Sequence, residues 1–452
     1  MGNRKSSGLM LTMANICMGL TTSEMSRAPV LATQANTDFG LALFQKLKGA
    51  DNGGENNVIF SPYSISNALA MVVGGAQEQT LLEIGNVLSL PADQKKEISV
   101  DPVHPWRTDI YLAGMGIQNE RFNRKDKPYA LNIANAIWGE KSYGFSTNYI
   151  SALETSFGKG TFQTANFQHH PEKERLRINS WVEDSTENKI KDLIEEGVID
   201  GSTEMVVVNA IHFKANWLNQ FDKTNTKTGD FFLDDDKSVE VELMNANSMT
   251  GIKYGAFNTD GSFFKTPEMI NLFDTSDSAN YPAEDGFSMI ELPYEGNELS
   301  MVVLVPRKKS GGLSSIEEFL VQENLSSWIE KLEDRKVHVT LPKFKAEAGY
   351  ALNDYLKEMG MESAFSASAN FNGMAEESIK SDMQISQVIH KAFIEVDEEG
   401  TEAAAATAVV MSRSAMQPFI PNFSADKAFI YLIRDIQSGA ILFLGRMANP
   451  SL

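Results

Sequence analysis

A single cysteine, Cys17, is present among 452 residues, so no disulfide can form within one chain. With 42% hydrophobic residues the chain can build a large core without crosslinks, so this excludes a disulfide scaffold and leaves secretion open. Long apolar runs are missing too, and no stretch reaches the length of a membrane-spanning helix. Positive charge is scarce. Against 60 Asp and Glu stand 40 Lys and Arg, and the net charge of -20 argues against general affinity for nucleic acid or anionic membranes. Catalytic signatures are also absent: there is no GxSxG elbow, GxxxxGK(S/T) phosphate loop, HExxH or CxxC. His169-His170 with Glu172 comes nearest to a metal-ligand grouping. Adjacent side chains point apart on a strand or a helix, so this cluster is read as a solvated turn. No catalytic residue, metal or cofactor is expected, and the chain is not read as an enzyme.

Residues 1–32 differ from the rest. Arg4-Lys5 precede a moderately apolar run, Gly8 to Leu20, that resembles a signal peptide, although Thr12 and Asn15 dilute it and no small-x-small cleavage site follows. Gly2 with Ser6 also fits the loose myristoylation pattern. The segment is read as an N-terminal extension or a weak signal peptide. An extracellular location is expected, with a cytoplasmic one as the alternative.

From residue 33 to 452 the pattern is that of a single ordered domain. Asn36-Thr37-Asp38 is expected to cap a helix whose apolar face carries Phe39, Leu43, Phe44 and Leu47. Val58-Ile59-Phe60 reads as a short strand, and Ser61-Pro62 starts a helix that stops at Gly74-Gly75. Helical patterns follow from Thr80 to Leu88, Thr147 to Phe157 and Pro171 to Leu193, with strands at Ala130–Trp138 and Met205–Phe213. Strands dominate from Phe231 on, with short helices near Ile316–Trp328 and Tyr350–Met359. Helices gather early and strands late without βαβ alternation, so the class is α+β. The segment 258–285, interrupted by Gly, Ser, Asp and Asn, reads as a surface insertion. Arg121, Arg124, Lys125 and Lys127 form a basic run, read as a solvated face or, alternatively, a polyanion site.

One stretch resists assignment. Glu398 to Ser414 reads EEGTEAAAATAVVMSRS, helical by alanine content, yet it lies between the strand-like Val388–Val396 and Phe429–Ile433. It is a helix, a strand, or a segment that changes between states.

Phe60-Ser61-Pro62-Tyr63-Ser64-Ile65, the run Asn209-Ala210-Ile211-His212-Phe213-Lys214-Ala215-Asn216-Trp217, the alanine-rich stretch, and Phe429 through Gly445-Arg446 with Asn449-Pro450 resemble serpins. The loop is most similar to that of the intracellular, ovalbumin-like branch. The resemblance implies a multi-helix N-terminal part, three β-sheets and an exposed reactive-centre loop, here 398–421. It implies a suicide-substrate inhibitor of serine proteases, a monomer, that traps its acyl-enzyme by inserting the cleaved loop as a strand; a non-inhibitory carrier, storage or chaperone role is the alternative. Glu398, Gly400, Thr401, Ala403 and Ala405 match the loop hinge. Alternate residues from Thr401 are small enough to enter a sheet. Ser61, Ser64, Asn209 and His390 match the cluster where strands part, and Trp217 the point of first insertion. Family spacing from Glu398 puts the scissile bond at Ser414–Ala415, which opens elastase-like, chymotrypsin-like or cysteine proteases. A hinge one residue shorter puts it at Arg413–Ser414. Arg413 is preferred, because a trypsin-like pocket carboxylate would pair with its guanidinium. Asn324 and Asn422 are glycosylation acceptors only in a secreted protein.

Overall fold

The computed structural model describes residues 20–49, 57–95, 101–233, 237–271, 285–309, 311–376, 382–399 and 416–452. Three sheets organise them. The first has five strands in the order Phe344–Ala351, Gln387–Val396, Met205–Ala215, Tyr129–Glu140 and Phe162–Ala165. A ten-stranded sheet runs from Val58–Phe60 through Ile441–Met447, Phe429–Asp435, Leu299–Pro306 and Phe287–Pro293 to Ser238–Phe257, and on to Glu333–Pro342 and Asn422–Ser424. A two-stranded sheet joins Met269–Asn271 to Met416–Pro418. With the helices gathered ahead of most strands, the fold is α+β, as the sequence pattern predicts.

The five-stranded sheet is covered on both faces, which is why Met205–Ala215 reads as a near-continuous apolar run rather than an alternating one. Val207, Ile211 and Val388 face the main core shared with the ten-stranded sheet. Val206, Val208 and Ile389 face a second cluster, built with Trp138, Phe167, Ile178 and Val182, the last two from the helix Pro171–Ser185. Beneath the sheet runs Pro62–Val73, a helix with every residue buried. Its start is the expected one: Pro62 lacks the N–H that a first helical turn leaves unpaired, and Ser61 caps by accepting from the Ser64 N–H.

The first helix is longer than the pattern predicts, spanning Thr22–Gly49, so the boundary expected at Thr33 falls inside it. Asn36 and Thr37 are not caps. Both are buried in mid-helix, where Asn36 Nδ2 donates to the Ile441 carbonyl at 3.2 Å and its Oδ1 accepts from Ser66 Oγ at 3.3 Å. A capping sequence and a buried polar anchor look alike until the packing is known. The helix Thr108–Asn123, which packs on this one, has no strong apolar periodicity of its own. Gly114 explains part of that. A methyl there would lie 2.2 Å from the Ala28 carbonyl oxygen, so the helix crossing needs the glycine that weakens the helical signal. The helix after Pro171 ends at Ser185, short of Leu193.

Candidate functional site

The chain leaves the strand Gln387–Val396 at Asp397 and continues into the alanine-rich stretch, whose residues 400–415 lie outside the described residues, among them Gly400, Thr401, Ala403, Ala405, Arg413, Ser414 and Ala415. What surrounds the departure point is well defined. Gln387–Val396 and Met205–Ala215 are hydrogen-bonded neighbours in parallel register, from Gln387 opposite Val206 to Ile394 opposite Phe213. A chain that turned back after Val396 and entered between them would run antiparallel to both. One parallel ladder would become two antiparallel ones, and antiparallel pairing is slightly the more stable per residue.

Two residues of the expected opening cluster, His390 and Asn209, stand at one level of this ladder, and Ser61 and Ser64 join them from the start of the helix beneath. Tyr350, His390, Asn209 and Asn135 stand opposite one another across four adjacent strands. The Ser61 N–H donates to His390 Nε2 at 3.0 Å, so the ring proton sits on Nδ1 and is donated to Asn209 Oδ1. Asn209 Nδ2 donates to Ser64 Oγ at 2.6 Å and to Asn135 Oδ1. Ser64 Oγ donates to Asn135 Oδ1 at 3.1 Å, and Asn135 Nδ2 returns a bond to the Ser64 carbonyl at 3.2 Å. His390 is fully buried and stacks parallel to Tyr350. Burial pushes its pKa down to about 3, so the network is neutral at physiological pH. Asn135 is a member that sequence reasoning missed. Its only signal was a polar residue inside the apolar run Ala130–Trp138.

Trp217 lies apart, at the end of the ladder where the loop departs. Its Nε1–H donates to the Asp397 carbonyl at 2.9 Å, and its ring stacks on Tyr294 at 4.6 Å. Beside it is an open cleft of about 410 Å³ lined by Lys223, Thr226, Glu242, Lys343, Asp397, Glu398 and Glu399. Glu398, 5% exposed, accepts from Thr226 Oγ1 at 2.6 Å and pairs with Lys343 Nζ at 3.3 Å. Lys343 also reaches Glu242 at 3.2 Å, and Lys223 pairs with Glu399. Burial alone would raise the Glu398 pKa, but the Thr226 hydroxyl, a backbone N–H and the Lys343 ammonium together hold it below the ordinary carboxylate range. Thr226, Lys343 and Tyr294 carry no local motif, and the hinge partners were not legible in the sequence.

Other candidates resolve differently. Glu172 is engaged by Arg175 in a bidentate pair at 2.7 and 2.8 Å, and no group of His, Cys, Asp or Glu among the described residues could hold a metal. The basic run is largely committed to internal contacts. Arg121 pairs with the buried Asp435 at 2.7 Å, Arg124 pairs with Glu298, and Lys127 donates to the Leu131 carbonyl at 3.2 Å. Asn422 is exposed and Asn324 partly so. No helix among the described residues is long and apolar enough to cross a membrane.

Comparison with known proteins agrees with this geometry. The family model for serpin (serine protease inhibitor) matches residues 34–450. Human Serpin B4 and human leukocyte elastase inhibitor are each 35% identical over 424 residues, covering 92% of this chain and 99% of theirs. The crystal structure of uncleaved ovalbumin superposes with a TM-score of 0.73 at 26% identity, covering 93% of this chain and 100% of that one. With relatives of the ovalbumin-like kind and a family match over most of its length, the chain belongs to the serpin family of protease inhibitors.

Proposed function

We propose that this protein is a suicide-substrate inhibitor of serine proteases, trypsin-like by preference, that traps the acyl-enzyme by inserting its cleaved loop between Gln387–Val396 and Met205–Ala215. The observation that carries the reading is the parallel pairing of those two strands, with the loop leaving directly from the first. A strand of about a dozen residues gains up to about one net hydrogen bond per residue, each about 0.5–1.5 kcal/mol. Apolar burial adds to this and strand ordering subtracts, leaving a surplus on the order of 10 kcal/mol, comparable with the stability of a whole domain. That surplus can displace and distort a tethered protease. The attacking serine belongs to the protease, so this chain catalyses nothing.

Arg413 is assigned to the protease's specificity pocket. A second reading places Ser414 there, and it is favoured by the likeness to a leukocyte elastase inhibitor. The ovalbumin-like relatives also favour a cytoplasmic location over a secreted one, in which case Asn324 and Asn422 remain unmodified surface side chains. A monomer suffices for the mechanism, and the internal pairing of the basic run leaves the polyanion reading without support.

Incubation with trypsin and with pancreatic elastase, followed by denaturing electrophoresis, tests the reading. A covalent band of summed mass supports trapping, and clean turnover of the loop overturns it. Arg413→Ala should abolish complex formation with trypsin. A new N-terminus at Ala415, with trypsin inhibition surviving the mutation, would move the scissile bond to Ser414–Ala415.

A further inference from the structure

The 258–285 segment, read from the sequence as a surface insertion, pairs through Met269–Asn271 with the end of the reactive-loop segment 398–421. After the strand Ser238–Phe257 a tight turn forms: the Asn258 N–H donates to the Ser262 carbonyl at 2.9 Å, Asp260 accepts from the Ser262 N–H, and Gly261 takes a φ of +76°. Phe263–Phe264 then pairs back on Ala256–Phe257. Trp328 Nε1 donates to the Gly261 carbonyl at 3.0 Å, and the Arg335 guanidinium holds the carbonyls of Thr266 and Pro267 at 3.1 and 3.0 Å.

This anchoring delivers the next residues to a set place. The Phe419 N–H donates to the Glu268 carbonyl at 2.9 Å. Met269–Asn271 continues antiparallel to Met416–Pro418, with Met269 opposite Pro418, Ile270 opposite Gln417 and Asn271 opposite Met416. Hydrogen-bonded pairs alternate in an antiparallel ladder, so after Glu268 and Phe419 the next bonded pair is Ile270 and Gln417. Pro418 falls on the unbonded position, where its missing N–H costs nothing. Met416 is the second residue after the Ser414–Ala415 bond and the third after Arg413–Ser414.

We propose that Met269–Asn271 is a positioning strand for the reactive loop, occupying one backbone edge of the residues that follow the scissile bond and so setting which proteases can dock and how fast. An extended peptide binds its partner through main-chain hydrogen bonds along an edge. An attacking protease meets a limb with one edge taken, and must use the other or displace the strand. The proposal rests on the reactive-loop reading of 398–421, and its test counts every attack on the loop, whether it ends in a trapped complex or a cleaved product.

Two variants are compared with the wild type against trypsin and pancreatic elastase, the second-order rate of attack being read from complex and cleaved product summed on denaturing gels. Ile270→Pro removes one N–H of the bonded pair and should speed attack by about three- to tenfold with at least one protease, the effect expected from losing one backbone bond. The second carries Cys17→Ser, Met269→Cys and Pro418→Cys. An unbonded antiparallel pair has the short Cα separation a disulfide needs, so it should oxidise readily, and the oxidised form should be attacked about tenfold more slowly than the same protein reduced. Failure of the disulfide to form, or rates for both variants within about twofold of wild type, would overturn the proposal. If the loop is attacked at altered rates but never traps, the inhibitor reading fails and the positioning role stands.

Discussion

Two contact regions hold the strand Gln387–Val396 in place, one along its length and one just past its end, and they are chemically opposite. The lower one, formed by Ser61, Ser64, Asn135, Asn209 and His390, is dry and uncharged. The upper one, formed by Lys223, Thr226, Lys343, Glu398 and Glu399, is ionic and borders an open cleft. In the lower region each hydrogen bond is shielded, and breaking one leaves a partner that water cannot reach, so opening is costly until the groups re-pair. In the upper region solvent reaches Lys223, Glu399 and part of Lys343, with Glu398 the buried member, so the outer contacts weaken with salt and can release first. A sheet that must stay shut and then open from the end where the loop departs is served by that difference.

The largest expected effect engages both regions at once. Cleavage within Met411–Met416 should raise the thermal midpoint by on the order of 10 °C or more, because the inserted strand would pass the cleft and then the buried cluster. Calorimetry before and after verified cleavage measures this, and an unchanged midpoint would mean that neither region yields. Next in size is Thr401→Arg. A guanidinium entering the sheet interior without a partner is costly, so insertion should slow and the protease should complete turnover. Titrating protease against inhibitor should show the stoichiometry rising severalfold with the fold intact; a wild-type stoichiometry would remove Thr401 from the insertion path.

His390→Leu probes the lower region alone. It leaves the Ser61 N–H and Asn209 Oδ1 unpaired and should cost about 2–4 kcal/mol in urea unfolding. The same residue sets a pH dependence. Above about pH 6.5 histidine is neutral in both folded and unfolded chains and adds no slope. Below that, the unfolded chain binds a proton that folded His390, with its pKa pushed down to about 3, does not. Stability should therefore fall by at most about 1.4 kcal/mol per pH unit between those limits, and His390→Leu should flatten that part of the curve. The smallest effect belongs to the upper region. Lys343→Gln should cost about 1 kcal/mol or less, and the difference from wild type should shrink as salt is raised. A salt-independent loss at Lys343, or a salt-dependent one at His390, would break the contrast between the regions.

Much of the frame was legible because its signals are local. Ser61-Pro62 marks a helix start wherever it occurs, and the β-branched runs around Val206 and Ile389 read as buried strands without knowledge of their neighbours. The site was legible only in part. His390 and Asn209 could be named by resemblance, but the tautomer of His390 follows from the Ser61 N–H, 329 residues away in sequence. Asn135 and Lys343 were missed because one of two Asn in a strand and a Lys between two strands carry no periodic signal. Asn36 was misread as a cap because its carbonyl partner, Ile441, lies 405 residues on.

By itself the sequence determined that the chain is an α+β protein without internal disulfides or catalytic motifs, with a small-residue stretch between two strand-forming runs. Those properties depend on composition, propensity and short-range spacing, which act between neighbours along the chain. Tertiary structure decided which strands became parallel neighbours, which polar side chains were left facing one another in the dark interior, and that Met269–Asn271 would lie along Met416–Pro418. Those outcomes rest on contacts between residues far apart in sequence, where burial and geometry, rather than residue type alone, fix the energy of each pairing.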